Sequence, residues 1–246
     1  MINIVFVQFG NRLEIENLIQ LISHPKVYFY VVINDGEDPP AGVTDSLSLE
    51  KNLGYLPAFQ TIVKSLELEG ITILANSDIE IPEGFFDHLM GLRLPANVKI
   101  IAPSIVTNGG RYQNPNLIQR NPYWKMLCYK LLYSSVLGNI YLFFSDVRNM
   151  FPTKRLNYST GSFIYSAHGS FVIFLSTEKL KSLEIYGGFL QNEEYYLAEN
   201  YRNEIFYEPD LKIIHNAHST IGLKSYSVRR RFMKHSINYI VDKFYV

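Results

Sequence analysis

Residues 71–82 read Ile-Thr-Ile-Leu-Ala-Asn-Ser-Asp-Ile-Glu-Ile-Pro. A short apolar, β-branched run gives way at Asn76 to a polar turn and then to an acidic segment closed by Pro82. Such a run, bounded by turn residues, fits a strand covered on both faces, as in a parallel sheet. Similar runs flank it, and the spacing predicts strands over Asn3–Gln8, Tyr28–Ile33 and Val98–Ala102, with a short extra strand at Ser46–Leu49. Amphipathic segments between them predict helices near Leu13–Ile22, Pro57–Glu67 and Gly84–Leu92. This βαβ series calls for an α/β fold with a mostly parallel sheet flanked by helices. Turn chemistry falls at the strand ends, as Gly10-Asn11, Asn34-Asp35-Gly36 and Asn76-Ser77-Asp78. In an open α/β sheet, ligands bind beyond the carboxyl ends of the strands, so these groups should converge. Taken singly, each cluster is also what an ordinary turn uses.

Past Pro103 the pattern loosens. Thr107–Asn121 is rich in Asn, Gly and Pro and predicts a loop; Pro122–Phe144 is aromatic and predicts helix. Ordered sequence resumes with the strand-like runs FIYSAHGSFVIF and FYEPDLKIIH, separated by an acidic segment around Glu193. With no repeat or linker, the expected organisation is one domain, 1–246, with an ordered half at 1–106, a variable helical and loop insertion at 107–158, and a second ordered part at 159–246.

Lys plus Arg equals Asp plus Glu, 23 against 23, so no overall field recruits nucleic acid, and any attraction for phosphate must be local. The single cysteine, Cys128, excludes an internal disulfide framework and a Cys-rich zinc site. A reducing compartment is expected, and the strand-like start MINIVFVQFG points to the cytoplasm. The uncharged run Leu131–Ser145 falls short of the roughly 20 residues of a membrane-spanning helix. A core helix or one lying against a membrane both suit it.

Several constellations could carry chemistry. Asp78, at a strand end, offers a carboxylate to a divalent cation, or simply caps a turn. Glu193-Glu194 are adjacent carboxylates beside aromatic residues; repulsion and burial would raise one toward the range of a general base, although an acidic pair also suits an exposed helix start. His215 closes the strand-like run FYEPDLKIIH and opens the polar turn HNAHST, which carries His218, and His168 precedes Gly169; each could meet a metal or phosphate, or be a satisfied buried histidine. Lys224, Arg229, Arg230 and Arg231 in the tail could hold a diphosphate or an anionic lipid headgroup, or form a solvated helix face.

Taken in order, VFVQFGN, VVINDGE, KNLGYLPAF, ILANSDIEIP, HGSFVIF, GGFLQNEEYYLAE and YEPDLKIIHNAHST resemble the family-2 glycosyltransferases, rhamnosyltransferase-like members of bacterial surface-polysaccharide pathways among them. The match covers most of the chain except about Thr107 to Tyr158. It implies a GT-A fold, Rossmann-like, in which 1–106 binds the nucleotide sugar and 159–246 the acceptor. By position it implies Gln8, Asn11, Asn34 and Asp35 at the nucleobase and ribose, Asn52 and Gly54 in the nucleotide pocket, and Asn76 and His168 at the nucleotide sugar. The Asp-x-Asp metal motif of the family falls on Asn76-Ser77-Asp78, which implies Asp78 and His215 at a Mn2+ or Mg2+ ion. Glu194 takes the position of the base, with Glu193 as fallback. Asn34, Asn76 and Tyr196 stand where relatives commonly carry Asp.

The expected reaction is transfer of a sugar from a nucleoside diphosphate to a saccharide or lipid-linked acceptor hydroxyl, with inversion, at the inner face of a membrane. A nucleotidyltransferase would open with a glycine-rich basic loop, which VFVQFGNRLEI lacks. A carbohydrate- or lipid-binding module that kept the fold and lost catalysis is the alternative outside enzymology.

Overall fold

The computed structural model describes residues 1–149, 151, 160–216 and 224–245. Its first four strands are β1 (Ile2–Gln8), β2 (Val27–Ile33), β3 (Asp45–Ser48) and β4 (Ile71–Ala75). They pair in parallel in the order β3-β2-β1-β4, and the Ile, Val and Phe that dominate β1 and β2 suit a pleated surface covered on both sides. Five more strands make, among the described residues, a nine-stranded mixed sheet: β5 (Ile79–Glu80), β6 (Ile100–Thr107), β7 (Ser162–Phe163), β8 (Phe171–Phe174) and β9 (Ile205–His215). Strand β8 runs antiparallel between β4 and β6, β6 pairs in parallel with β9, and β5 and β7 both pair antiparallel with β9.

Among the described residues eight helices flank this sheet: α1 (Arg12–Leu21), α2 (Leu56–Ser65), α3 (Phe85–Gly91), α4 (Tyr123–Ser134), α5 (Leu137–Asn149), α6 (Glu178–Ser182), α7 (Glu193–Asn200) and α8 (Tyr226–Phe244). Alternation along β1 divides the core into two layers. Ile2, Ile4 and Phe6 join α1 and α3 on one face, while Val5 joins α2, α4, α7 and α8 on the other. Helix α2 illustrates the energetics. Leu56, Phe59, Ile62 and Val63 are fully buried, each contributing roughly 1.5–3 kcal/mol, and Pro57 sits in the first turn, where its missing N–H has no intrahelical partner to lose.

Two expectations needed correction. The strand expected to stop at Ala102 continues to Thr107, because Pro103 lies at a register break: Pro103 faces Glu208, whereas Ser104 faces Lys212. Three residues of β9, Pro209 among them, bulge out there, so neither proline interrupts a regular ladder. The run FIYSAHGSFVIF divides into β7 and β8, with Ser166 bridging instead to Leu117. Pro122–Phe144 is helical as expected, in two helices: α4 and α5 meet at 108°, where the Ser134 and Ser135 hydroxyls bond the carbonyls of Lys130 and Leu132 and end α4.

Candidate active site

Beyond Ala75 the chain crosses to β5, and Ile79 pairs with His215 at the end of β9. That register sets Asp78 beside the imidazole, with Oδ1 3.1 Å from Nε2 and both side chains under a tenth exposed. Nδ1 of the same ring lies 2.8 Å from Oε1 of Gln113. An amide oxygen only accepts, so Nδ1 carries a proton and Nε2 faces the carboxylate. The Asn76 amide nitrogen stands 3.3 Å from Nε2. Two adjacent ligands on one octahedral cation, at about 2.1 Å each, are themselves about 3 Å apart. Asp78 and His215 therefore fit a shared divalent ion. Among the described residues no group of three His, Cys, Asp or Glu that could hold a metal ion converges.

The acidic pair opens α7, but not as an exposed helix start. Glu193 is buried, and its Oε1 accepts from the N–H of Leu56 at 3.0 Å, which caps α2 from 137 residues away. Burial first, then Glu194, push its carboxyl up to about 8. Glu194 is partly exposed; burial also raises its pKa, opposed by backbone N–H donors that include Gly169. A Cβ on Gly169 would lie 3.3 Å from Oε1 of Glu194, so only glycine leaves the carboxylate its present room.

His168 and Tyr55 connect the two acidic groups. The His168 ring lies 6.0 Å from that of His215, and its Nδ1 accepts from the Ser170 N–H at 3.2 Å. Burial, then the nearby His215 and Arg111, pull the pKa of His168 down to about 3, so at neutral pH it is an uncharged donor through Nε2. The phenol of Tyr55 is pushed well up by burial and then by Glu193, Asp78 and Glu194; one hydroxyl thus senses all three carboxylates. It is buried and has no hydrogen-bond partner among the described residues.

At the other end of the same sheet edge the expected nucleotide residues hold one another. Gln8 donates to Asp35 Oδ1 at 3.3 Å and to the Asp38 carbonyl at 3.2 Å, and Asp35 accepts from the Gly10 N–H. Asn34 is buried. Its amide donates to the Gly54 carbonyl at 2.9 Å and accepts from Leu53 N–H, while Asn52 accepts from Gly54 N–H. Gly54 has φ +89, a value that suits glycine. Asn11 donates to Ser77 Oγ at 2.8 Å, which ties β1 to the turn before Asp78.

The tail does not join this edge as a free cationic clamp. Arg229 makes two bonds to Asp146, and Arg230 donates to the Tyr133 and Ser135 carbonyls. Lys224 and Arg231 are exposed, and His218 lies outside the described residues. Sequence reasoning missed Tyr55 and Gln113. Tyr55 reads as core beside Leu56, and Gln113 sits in a stretch whose composition says only loop.

No family model matches the chain, and no curated protein matches it either. Solved structures do. The transferase GalNAc-T7, crystallised with UDP, GalNAc and Mn2+, superimposes over 87% of this chain with a TM-score of 0.58 at 9% identity. The fold is GT-A. The chain spans 43% of that transferase's length. A mycobacterial protein is similar over 100% of this chain and 75% of its own, with a TM-score of 0.54 at 14% identity. At these identities the likeness concerns the fold.

Proposed function

We propose that this chain is a glycosyltransferase that moves a sugar, of hexose type, from a nucleoside diphosphate to a hydroxyl of a saccharide or lipid-linked saccharide. The observation that carries the reading is the meeting, at one sheet edge, of the Asp78–His215 pair with two carboxyls of raised pKa across His168 and Tyr55. The fold shared with a transferase crystallised with UDP and Mn2+ supports it. Asp78 and His215 would hold a divalent cation, which when bound neutralises charge on the departing diphosphate. His168, uncharged, donates through Nε2 to a phosphate or sugar oxygen. Glu194, open to solvent where Glu193 is not, takes the proton of the acceptor hydroxyl as it attacks the anomeric carbon. Attack opposite the leaving group inverts that carbon. Glu193 positions the pair through Leu56.

A role in bacterial surface polysaccharide or O-antigen assembly, at the cytoplasmic side of the membrane, rests on the sequence resemblance. A non-catalytic sugar-binding module is the second reading, because Asn76 leaves one carboxylate at the cation position.

Thermal melts with uridine, guanosine and thymidine diphosphates, each with and without Mn2+, test the reading. One nucleotide should raise Tm in a Mn2+-dependent way, by the equivalent of about 2.7 kcal/mol at a hundredfold excess over Kd. Asp78→Ala should abolish that shift. No shift from any nucleotide would overturn the proposal, whereas a shift without sugar hydrolysis or transfer would favour the binding module.

A further inference from the structure

Helix α5 turns its apolar side outward. Leu137, Ile140, Phe144 and Val147, spaced three and four residues apart, are 57%, 52%, 63% and 37% exposed, with Phe143 beside them and Phe151 just beyond. A helix against water carries polar residues on that stripe, and a contiguous patch of this kind marks an interaction surface. Charge identifies the occupant. Between Asp87 and Glu178 the chain has nine Lys or Arg and a single acid, Asp146, although the whole chain is neutral; two of the nine, Arg120 and Lys130, are paired with acids outside that stretch, Glu199 and Asp242. Asp146 is consumed by Arg229 at 2.5 and 2.8 Å. The same contact, with Tyr226 packed edge-on against Phe143 at 6.2 Å, brings the start of α8 beside the patch, and there Lys224 and Arg231 are exposed, as is Arg148 on α5.

From this juxtaposition we infer that α5 and the first turns of α8 form a docking face for an anionic phospholipid surface, with the α5 stripe entering the headgroup boundary and Arg148, Lys224 and Arg231 meeting lipid phosphates. A second copy of the same cationic face would repel it. Among the described residues no single helix is long and apolar enough to cross a membrane. Thirteen residues of α5 extend about 20 Å against a hydrocarbon core of about 30 Å. The helix therefore lies in the interface plane.

The inference is independent of the donor site and goes beyond it. Sedimentation of the full chain with phosphatidylglycerol vesicles, and with phosphatidylcholine vesicles as control, tests it. Binding is expected to the anionic vesicles, weakened by salt, and reduced at least tenfold in Ile140→Asn/Phe144→Asn. Charge reversal in Arg148→Glu/Arg231→Glu should weaken it by roughly fivefold or more per position. Both variants change exposed side chains and should keep the wild-type melting temperature and nucleotide response, which separates this result from any failure of the transferase reading. Absence of binding to anionic vesicles, equal binding to neutral ones, or unchanged binding by both variants would overturn the inference. So would a wild-type dimer that the apolar variant converts to monomer, since that gives the face to a second copy.

Discussion

Glu193 and Glu194 are adjacent in the chain but differ in what surrounds them. Glu193 is enclosed and bonded to Leu56, whereas Glu194 keeps an opening beside Gly169. Glu194→Gln should retain Mn2+-dependent nucleotide binding and lower kcat by about 10²–10⁴, the usual contribution of a general base; steady-state kinetics checks this. Glu193 makes a different prediction. Its folded pKa of about 8 lies above the ordinary carboxylate value of 4.5, so between those pH values the unfolded chain releases a proton that the folded chain keeps. Stability should be highest below about pH 4.5 as far as this group is concerned, and fall toward pH 8 by up to ~1.4 kcal/mol per pH unit. In Glu193→Gln the amide oxygen can still accept from Leu56 and that slope should vanish, as urea titrations at pH 5–8 would show. Tyr55→Phe removes a buried hydroxyl that has no hydrogen-bond partner among the described residues. The apoprotein should be unchanged or up to ~1 kcal/mol more stable, while the nucleotide-induced rise in Tm shrinks if the hydroxyl donates to the bound donor. The acidic residues were visible in the sequence because charge in an aromatic setting is conspicuous; Tyr55 was not, since its partners come together only in three dimensions.

At the scale of elements, the parallel strands were legible because burial on both faces forces an uninterrupted apolar run, and β1, β2 and β4 show it. The second half was less so. Strand β9 alternates buried and exposed residues in an orderly way, yet its bulge opposite Pro103 depends on a partner more than a hundred residues distant, and no local signal encodes that register. The loop carrying Asn52 and Gly54 gives a test of how elements position the site. Asn34, at the end of β2, uses its amide as donor to the Gly54 carbonyl and as acceptor from Leu53. Asn34→Asp replaces that donor with an oxygen facing the Gly54 carbonyl. The cost should be about 1–3 kcal/mol, with weaker nucleotide binding as the loop loosens. Denaturation midpoints and nucleotide titrations together would show it; an unchanged midpoint would mean that Asn34 does not tie the loop.

Over the whole molecule, the described part of the expected insertion at 107–158 is built into the same core as the acidic helix. Met126, Tyr133 and Leu142 of α4 and α5 share the layer that contains α2, α7 and α8. Arg120 is the polar fastening. Its Nε donates to Glu199 of α7 at 2.6 Å, its Nη2 to the Phe244 carbonyl at 2.8 Å, and its guanidinium lies 3.8 Å over the Tyr245 ring. Glu199 has only 1% of its side chain exposed. Burial alone would raise its carboxyl, but hydrogen bonds from Arg120, Tyr165 and Arg202 outweigh it and hold the pKa below the usual value. The sign is opposite to that at Glu193: the unfolded chain binds the proton more readily, so this contribution is present above about pH 4.5 and is lost as pH falls through the lowered folded value. Arg120→Met keeps the apolar stem and removes the charge, leaving Glu199 with Tyr165 and Arg202. Loss of one partner from such a buried group should cost about 2–4 kcal/mol, flatten the acid limb of the stability curve, and reduce turnover, because α7 carries Glu193 and Glu194 at its opposite end. Equilibrium unfolding from pH 3 to 7 would measure the first two effects, and wild-type stability with an undiminished acid limb would show that the insertion is fastened to α7 by its apolar contacts alone.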